Sequence, residues 1–427
     1  MASISGPARP LAGVKVVELC HLIAGPYCCQ MLADEGATVI KVEPPQGELT
    51  RHRAPARRTP QGEVTAYFAS LNRDKRSVVL DLKNPEGGRL MTQLLETADV
   101  FVTNMRVAAL ERLNLHPKAL AQRFPRLVVV TISGFGMDNA GDHADRAGLA
   151  IVAEAMSGAT GLTRDHLGNP VWCGFALGDI TAAVAAHAGI LLALRNQEKY
   201  GVGKLIDRGL VECMLPMVSV AMGRVQVEDE ALSDFAGSNT FHGIPYGAFP
   251  ASDGGVSIGV NRDDFWRRLC VAMGRPELGT DPRYAKHAER AKRQREVFEI
   301  TEEWTRVHTR AEIVAKLIEV DVPVARILSM KEVVADDHLL SRRALWQVED
   351  GLGGTFTLPA NTAWMEVTEH NPRVPRLGEH RDEILQSELG LSAADIARLQ
   401  DAGAFGDRQS RQAAKSAVDT SPSAMPL

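Results

Sequence analysis

The chain has 427 residues, 48 Lys and Arg against 53 Asp and Glu, a formal net charge of -5, 45% hydrophobic and 24% charged residues. These are the proportions of an ordinary soluble globular protein, and the length favours two domains over one very large core. The mild acidity offers no general attraction to nucleic acid or to an anionic membrane, so neither is expected as a partner.

Met1–Pro10 lacks a charged region followed by an apolar stretch, and no apolar run of about 18 residues stands out, so neither a signal peptide nor a membrane span is expected. Six cysteines (Cys20, Cys28, Cys29, Cys173, Cys213, Cys270) form no C-x-x-C pair, which gives neither a disulfide framework nor a zinc spacing. A cytoplasmic location is the default expectation. Aromatic residues make up only 5%, and the abundance of Ala, Val and Leu favours a helix-rich α/β protein.

In chain order, Val14–Leu19 reads as a strand, Pro26–Glu35 as a helix ending at Gly36, and Thr38–Val42 as a second strand. Arg51–Gln61 holds Arg51, Arg53, Arg57 and Arg58 with two prolines and no apolar period, and reads as a loop. Val78–Leu82 is a third strand. Pro85–Ala98 reads as a helix with Pro near its start and Leu90, Leu94 and Leu95 on one face. Val100–Val102 and Leu127–Ile132 are further strands. This alternation predicts an α/β fold with a parallel sheet.

Asp179–Leu194 is almost wholly apolar after its first residue, so it reads as a helix buried on all sides. From Val225 to Tyr246 the sequence turns polar and Gly-bearing. Phe249–Asp253 reads as a turn and Val256–Val260 as a strand. Helices follow at Asp264–Met273, Ala285–His308 and Arg310–Val320, then short strands after Pro323 and a last helix at Ser392–Asp401. The expected domains are 1–225 and 326–404 in one large domain and 226–325 in a smaller one, with 405–427 a disordered tail.

The common motif patterns are absent. The first strand leads into Cys20-His21-Leu22-Ile23-Ala24-Gly25-Pro26, one glycine where a dinucleotide fingerprint needs three, although Glu43 ends the second strand where a ribose-binding acid would sit. There is no G-x-x-x-x-G-K-[ST], G-x-S-x-G or H-E-x-x-H, and the twelve histidines lack ligand spacing, so no metal is expected.

Six stretches in order carry a resemblance. They are Pro10–Leu19 with Ala24-Gly25-Pro26 and Leu32–Glu43, Asn72–Ser77 with Leu80–Lys83, Asn104–Leu113, Ile132–Gly136, Gly178-Asp179 with its Ala-rich helix and Gly201-Val202-Gly203, and Leu377–His380 with Asp382–Leu385. Together, from Pro10 to about Ala402, they resemble the class III CoA-transferases, the family of formyl-CoA transferase and the carnitine and bile-acid CoA-transferases. The resemblance implies a Rossmann-like large domain built from both chain ends, a smaller inserted α+β domain, and a homodimer of two ring-shaped chains threaded like links. The linkers around Val225–Thr240 and Val322–Met330 suit that threading.

It also implies transfer of CoA from an acyl-CoA donor to a carboxylate acceptor, with no tightly bound cofactor and with coenzyme A or acyl-CoA as substrate. The nucleophile implied is Asp179, attacking a thioester to form a mixed anhydride and then an aspartyl-CoA thioester. Asp179 follows Gly178 and opens a helix, where backbone N–H groups and the dipole favour a carboxylate. CoA carries phosphates that want cations. Lys75, Arg76, Lys83, Arg106 and Arg112 lie in segments matching the family's CoA-binding stretches, Lys83 and Arg112 most directly, with Leu80 to Leu82 beside the nucleotide. Asn104 and Met105 sit at a strand end, where α/β sheets bind ligands. His21, Ile23 and Ala24 match positions near the CoA and the acyl centre.

Two departures narrow the substrate. The formyl-CoA transferases carry Gln where this chain has Ile23, and acidic and tyrosyl residues near Ala150 and Ile151; the apolar residues here argue against formate and oxalate. Their Gly-run loop is also missing, since Gly237-Ser238-Asn239 and Gly243 form no run. A short dicarboxylate pair with succinyl-CoA as donor is the expected substrate class, and the arginines from Arg51 to Arg58 are candidates for a second carboxylate. The alternative is a 2-methylacyl-CoA racemase of the same fold. It needs a His-Asp pair that falls here on Leu149-Ala150, and His143 is six residues too early.

Overall fold

The computed structural model describes residues 9–138, 140–143, 146–164, 169–227, 243–361 and 371–406. Two compact units result, one from Met1–Ala153, Ala176–Met214 and Asp337–Leu427, the other from Glu154–Phe175 and Leu215–Asp336.

In the first unit the chain runs β1 (Lys15–Leu19), α1 (Ala24–Asp34), β2 (Thr38–Glu43), β3 (Ala56–Thr59), β4 (Gly62–Thr65), α2 (Ala66–Leu71), β5 (Arg76–Val79), α3 (Pro85–Glu96), β6 (Val100–Thr103), α4 (Val107–Arg112), α5 (Pro117–Arg123) and β7 (Val128–Ser133). The chain passes to the second unit within α6 (Ala150–Met156), forms α7 (Ala159–Leu162) there, and returns to the first with α8 (Leu177–Tyr200) and β8 (Leu205–Gly209). Six strands form one sheet in the order β5-β2-β1-β6-β7-β8, every neighbouring pair parallel. Val-rich strands covered on both faces suit such a sheet. On one face Val17, Leu19, Phe101 and Val129 pack with Leu90, Leu94 and Leu95 of α3 and with Ile384 and Leu399 near the C-terminal end of the unit. On the other face α8 packs against α1 and β7.

The order β2-β1-β6 makes the carboxyl ends of β1 and β6 the point where the winding reverses, which is where open α/β sheets take ligands. Helix α8 ends at Gly201, in the left-handed conformation, and four residues later β8 begins. So short a link makes α8 run against the strand direction. Its first turn therefore lies toward the carboxyl edge of the sheet.

The second unit holds a three-stranded antiparallel sheet of β9 (Tyr246–Ala251), β10 (Gly254–Gly259) and β11 (Val324–Arg326), in the order β11-β10-β9. Helices Asp263–Ala272, Gln294–Arg306 and Arg310–Glu319 close its core around Trp266, Val297 and Leu317. The last strands, β12 (Leu345–Glu349) and β13 (Thr355–Pro359), pair antiparallel in the first unit.

Several expectations are corrected. Arg51–Gln61 is not a loop throughout: Leu49–His52 is a single turn of 3₁₀-helix, and β3 pairs antiparallel with β4. Phe249 and Pro250 lie inside β9 rather than in a turn. The segment Ala285–His308 is two helices, His287–Ala291 and Gln294–Arg306, parted at Lys292 and Arg293. The third strand ends at Val79, so Leu80 and Leu82 lie beyond it. Helix α1 begins at Ala24, two residues early. Phe405 is no part of a tail: its ring is fully buried in the main core, while 407–427 lie outside the described residues.

Helix α8 is not buried on all sides. Gly178, Ala182, Ala186, Ile190, Ala193 and Gln197 form its buried face, while Val184, Leu191 and Leu192 are exposed in the single chain. Its length and mean hydropathy of 1.7 would suffice to cross a membrane, against the sequence expectation that no such segment exists. Its small-residue face packs on α1 and the sheet, as in a core helix.

Candidate active site

The carboxyl edge gathers the residues singled out from the sequence. His21, Leu22 and Ile23 form the turn from β1 into α1, with Ile23 at the helix start and Ala24 buried as the first helical residue. Asn104, Met105 and Arg106 follow β6. The Asn104 side chain joins the two turns: Oδ1 accepts from the His21 N–H at 2.9 Å, and Nδ2 donates to the His21 carbonyl at 2.7 Å. Asn104 therefore holds the site's backbone together, and its amide is committed to that task. Leu22 adopts φ 63°, costly for a residue with a Cβ, and its N–H donates to Glu48 Oε2 at 3.3 Å. Gly25 is required, because a Cβ there would stand 2.3 Å from Cys20 Sγ.

Beside these turns is a cleft of about 430 Å³ lined by Met105, Arg106, Ala108, Ala109 and Arg112. Three of the five are residues expected to touch CoA. Arg106 and Arg112 are exposed, as is Lys83 in the turn after β5. Leu80 differs: at 1% exposure its side chain belongs to the core, so only its backbone faces the edge.

The other expected phosphate ligands are engaged. Lys75 is buried, with Nζ 2.8 Å from Glu18 and donating to the Pro26 carbonyl and Asn72 Oδ1. Lys41 pairs with the same Glu18 at 2.8 Å. Arg76 pairs with Glu383 and Glu388. Glu43 is no ribose ligand: it is fully buried, accepts two bonds from Arg51 at 2.6 and 2.7 Å, and accepts from Ser77 Oγ at 2.6 Å.

The arginine cluster separates in the same way. Arg51 is held by Glu43 and lies 3.7 Å over the Phe68 ring. Arg57 pairs with Asp350, and Arg58 with Glu63 at 3.0 Å. Arg53, exposed at the end of the Leu49–His52 turn, makes no ion pair among the described residues. That turn is fixed against the start of α2: Thr65 Oγ1 donates to the Thr50 carbonyl at 2.6 Å, and the Ala66 N–H donates to the Pro55 carbonyl at 3.0 Å. Tyr67 follows directly. Burial raises its hydroxyl pKa; the Arg53 charge opposes that, and Asp179 and Glu48 reinforce it. Arg53, Glu48, Tyr67 and Asp179 thus share one electrostatic neighbourhood.

Asp179 is half-buried in the first turn of the 24-residue helix α8, two residues inside its first position rather than at the cap, which is Ala176. Gly178 before it packs on Ala150, where an added Cβ would be 3.1 Å from the Ala150 Cα. Opposite Glu48, His21 Nδ1 is buried without a hydrogen bond among the described residues, 4.0 Å from the carboxylate. Burial, aided by Lys41, lowers the His21 pKa despite the acids nearby, which favours the neutral ring. Tyr67 and Glu48 were not found from the sequence. The only signal was the position of Tyr67, five residues before the matched Asn72–Ser77 stretch. Gly237-Ser238-Asn239, singled out earlier, lies outside the described residues, as does most of the linker 225–240.

The family model described as CoA-transferase family III matches residues 11–381. The succinyl-CoA–D-citramalate CoA-transferase of Chloroflexus aurantiacus is 34% identical, over 92% of this chain and 98% of that protein. A formyl-CoA:oxalate CoA-transferase of a Bradyrhizobium strain is 32% identical, over 93% and 97%. Among solved structures, a CAIB/BAIF family protein from Brucella suis superposes with a TM-score of 0.78 at 29% identity, covering 89% of this chain and 99% of that one.

Proposed function

The chain belongs to CoA-transferase family III, and we propose that it moves CoA from succinyl-CoA to a small dicarboxylate through Asp179. Asp179 attacks the thioester carbonyl, the C–S bond breaks, and CoA leaves as thiolate from a mixed anhydride. The thiolate attacks the Asp179 carbonyl, giving an aspartyl-CoA thioester and the free donor carboxylate. The acceptor carboxylate attacks that thioester, and the released thiolate then takes the acceptor's acyl carbon, restoring Asp179. No proton need be supplied or removed. The positive end of α8 suits the charge that passes through this carbon. CoA's phosphates fall to Arg106 and Arg112 beside the cleft and to Lys83, and the unpartnered nitrogen of His21 faces the same edge. As in the family resemblance, the working unit is a homodimer.

The observation that carries this reading is Asp179 in the first turn of α8, at the ligand-binding edge, within a family match spanning nearly the whole chain. A succinyl-CoA donor is supported by the Chloroflexus relative, and Ile23 and Ile151 argue against formate and oxalate. The racemase lacks its second base, since Leu149 and Ala150 carry no proton and Ala150 packs on Gly178. The test is mass spectrometry of the protein with acyl-CoAs and no acceptor. A CoA adduct on the Asp179 peptide, absent in Asp179→Ala, is expected. Exchange of the α-proton of a 2-methylacyl-CoA into deuterium without any adduct would overturn it.

A further inference from the structure

Two groups behind the turn from β1 into α1 each lack what the other offers. The Glu48 side chain is 1% exposed, and no lysine or arginine pairs with it among the described residues. Its carboxylate holds neutral donors, the Thr50 hydroxyl on Oε1 and the Leu22 N–H on Oε2 at 3.3 Å. A carboxylate so buried gains from a hydrogen-bonded cation. His21 Nδ1 is buried without a hydrogen bond and stands 4.0 Å from the same Oε2. That is about 1 Å beyond a charge-assisted bond. Asn104 holds the His21 N–H and carbonyl at 2.9 and 2.7 Å, so the gap closes by rotation of the ring rather than movement of the turn. The His21 side chain is 30% exposed although Nδ1 is buried, so its exposure falls on the ring edge that carries Nε2. Met105 and Arg106, directly after Asn104, line the cleft. Four charges act on this ring: Glu18 from β1, Lys41 and Glu43 from β2, and Glu48. Lys41 is spent on Glu18 and Glu43 on Arg51, which leaves Glu48 as the acid able to respond.

We propose that Glu48 is a positioning residue for His21: when a phosphate of CoA meets Nε2, the ring takes one proton from solvent and its Nδ1–H closes onto Glu48. This rests on the reading of this edge as the CoA site. The charged ring donates on both sides, from Nε2 to a phosphate oxygen and from Nδ1 to Glu48 Oε2. In the free protein, burial and Lys41 keep the ring neutral, so the proton arrives with the ligand. It belongs to binding and not to the chemistry at Asp179: no bond of the acyl-CoA breaks, and the proton returns to solvent on release. Because binding and proton uptake are linked, CoA affinity should weaken as pH rises above neutrality.

Calorimetric titration with CoA, in buffers of different ionisation enthalpy, counts the protons taken up. At pH about 7 the wild type should take up roughly half a proton or more per site beyond His21→Gln, a difference that removes protons bound by CoA itself. Glu48→Gln keeps the shape and removes the charge. Its uptake should fall toward that of His21→Gln, and its CoA Kd should rise about tenfold, the factor carried by one unit of the His21 pKa. Glu48→Asp keeps the charge but withdraws it by one methylene, and should lie between; it also serves if Glu48→Gln fails to fold. Pantetheine, which has no phosphate, should bring no uptake in the wild type. Uptake equal in wild type and His21→Gln, uptake undiminished in both Glu48 variants, or uptake with pantetheine would each overturn the proposal. CoA that binds without His21-dependent uptake removes this proposal alone. Failure of CoA to bind removes the reading of the edge and the proposal with it.

Discussion

At the scale of single residues, Glu43 has the clearest consequence. Burial opposes its charge, but Arg51, Lys41 and the Ser77 hydroxyl outweigh burial and hold its carboxyl down to about 2, from an ordinary 4.5. A depressed carboxyl contributes stability that is complete above its unfolded value and is lost as pH falls through the folded one. Thermal unfolding should therefore show stability declining between pH 4.5 and about 2. Arg51→Ala removes the main partner and leaves a buried charge uncompensated, at a cost of about 3–5 kcal/mol at neutral pH. Its acid limb should be flatter, since Glu43 then titrates nearer its unfolded value. Arg53→Ala, at an exposed residue without an ion pair, should stay within about 0.5 kcal/mol of wild type. Equal losses in the two variants would refute the division drawn between these neighbours.

At the scale of elements, the site depends on two strand-to-helix turns held together by one amide. Asn104→Ala removes both bonds to His21 and leaves its buried-side backbone groups unpaired, so a loss of about 1–3 kcal/mol is expected in thermal melts. Weaker CoA binding by calorimetry should accompany it, because the turns carrying Ile23 and Arg106 are no longer tied. Asn104→Asp keeps the acceptor and should fall between. Unchanged CoA affinity in a destabilised Asn104→Ala would mean that the turns hold their places without the tie. Much of this framework was legible in the sequence. The runs at Lys15–Leu19, Thr38–Glu43 and Val128–Ser133 are β-branched and bounded by breakers, and α3 has apolar residues at helical spacing. What was not legible depends on partners far along the chain. The β3–β4 hairpin packs Val64 with Val348 and Val374 and ties Arg57 to Asp350, almost 300 residues away, so its local sequence reads as loop. The same reason kept the four arginines from Arg51 to Arg58 alike in the sequence, until the acids that pair with Arg51, Arg57 and Arg58 are located. Tyr67 carries no motif of its own and stands out only through the charges of Arg53, Asp179 and Glu48 that act on its hydroxyl.

At the scale of the whole molecule, α8 poses a question of solvent. The sequence predicts a helix covered on all sides, yet one chain covers only its small-residue face. Val184, Ala188, Leu191 and Leu192 follow one another at helical spacing on the opposite side, with Leu192 74% exposed. A stripe of this kind is left in water at a cost that grows with its apolar area, about 25 cal/mol for each Å². A second copy of the chain is the occupant we propose, in keeping with the homodimer implied by the family resemblance. In sedimentation velocity the protein should then run at about 93 kDa, twice its 46.3 kDa chain. Leu192→Glu would force a carboxylate into the buried interface, where an unpaired charge is far more expensive than a lost methyl contact. That variant should appear as 46.3 kDa monomer or lose solubility. If the two chains are threaded through each other, dilution of the wild type should also fail to release monomer, because separation would require unfolding. A wild type that is monomeric at micromolar concentration would sink the argument. The exposed leucines of α8 would then need another partner.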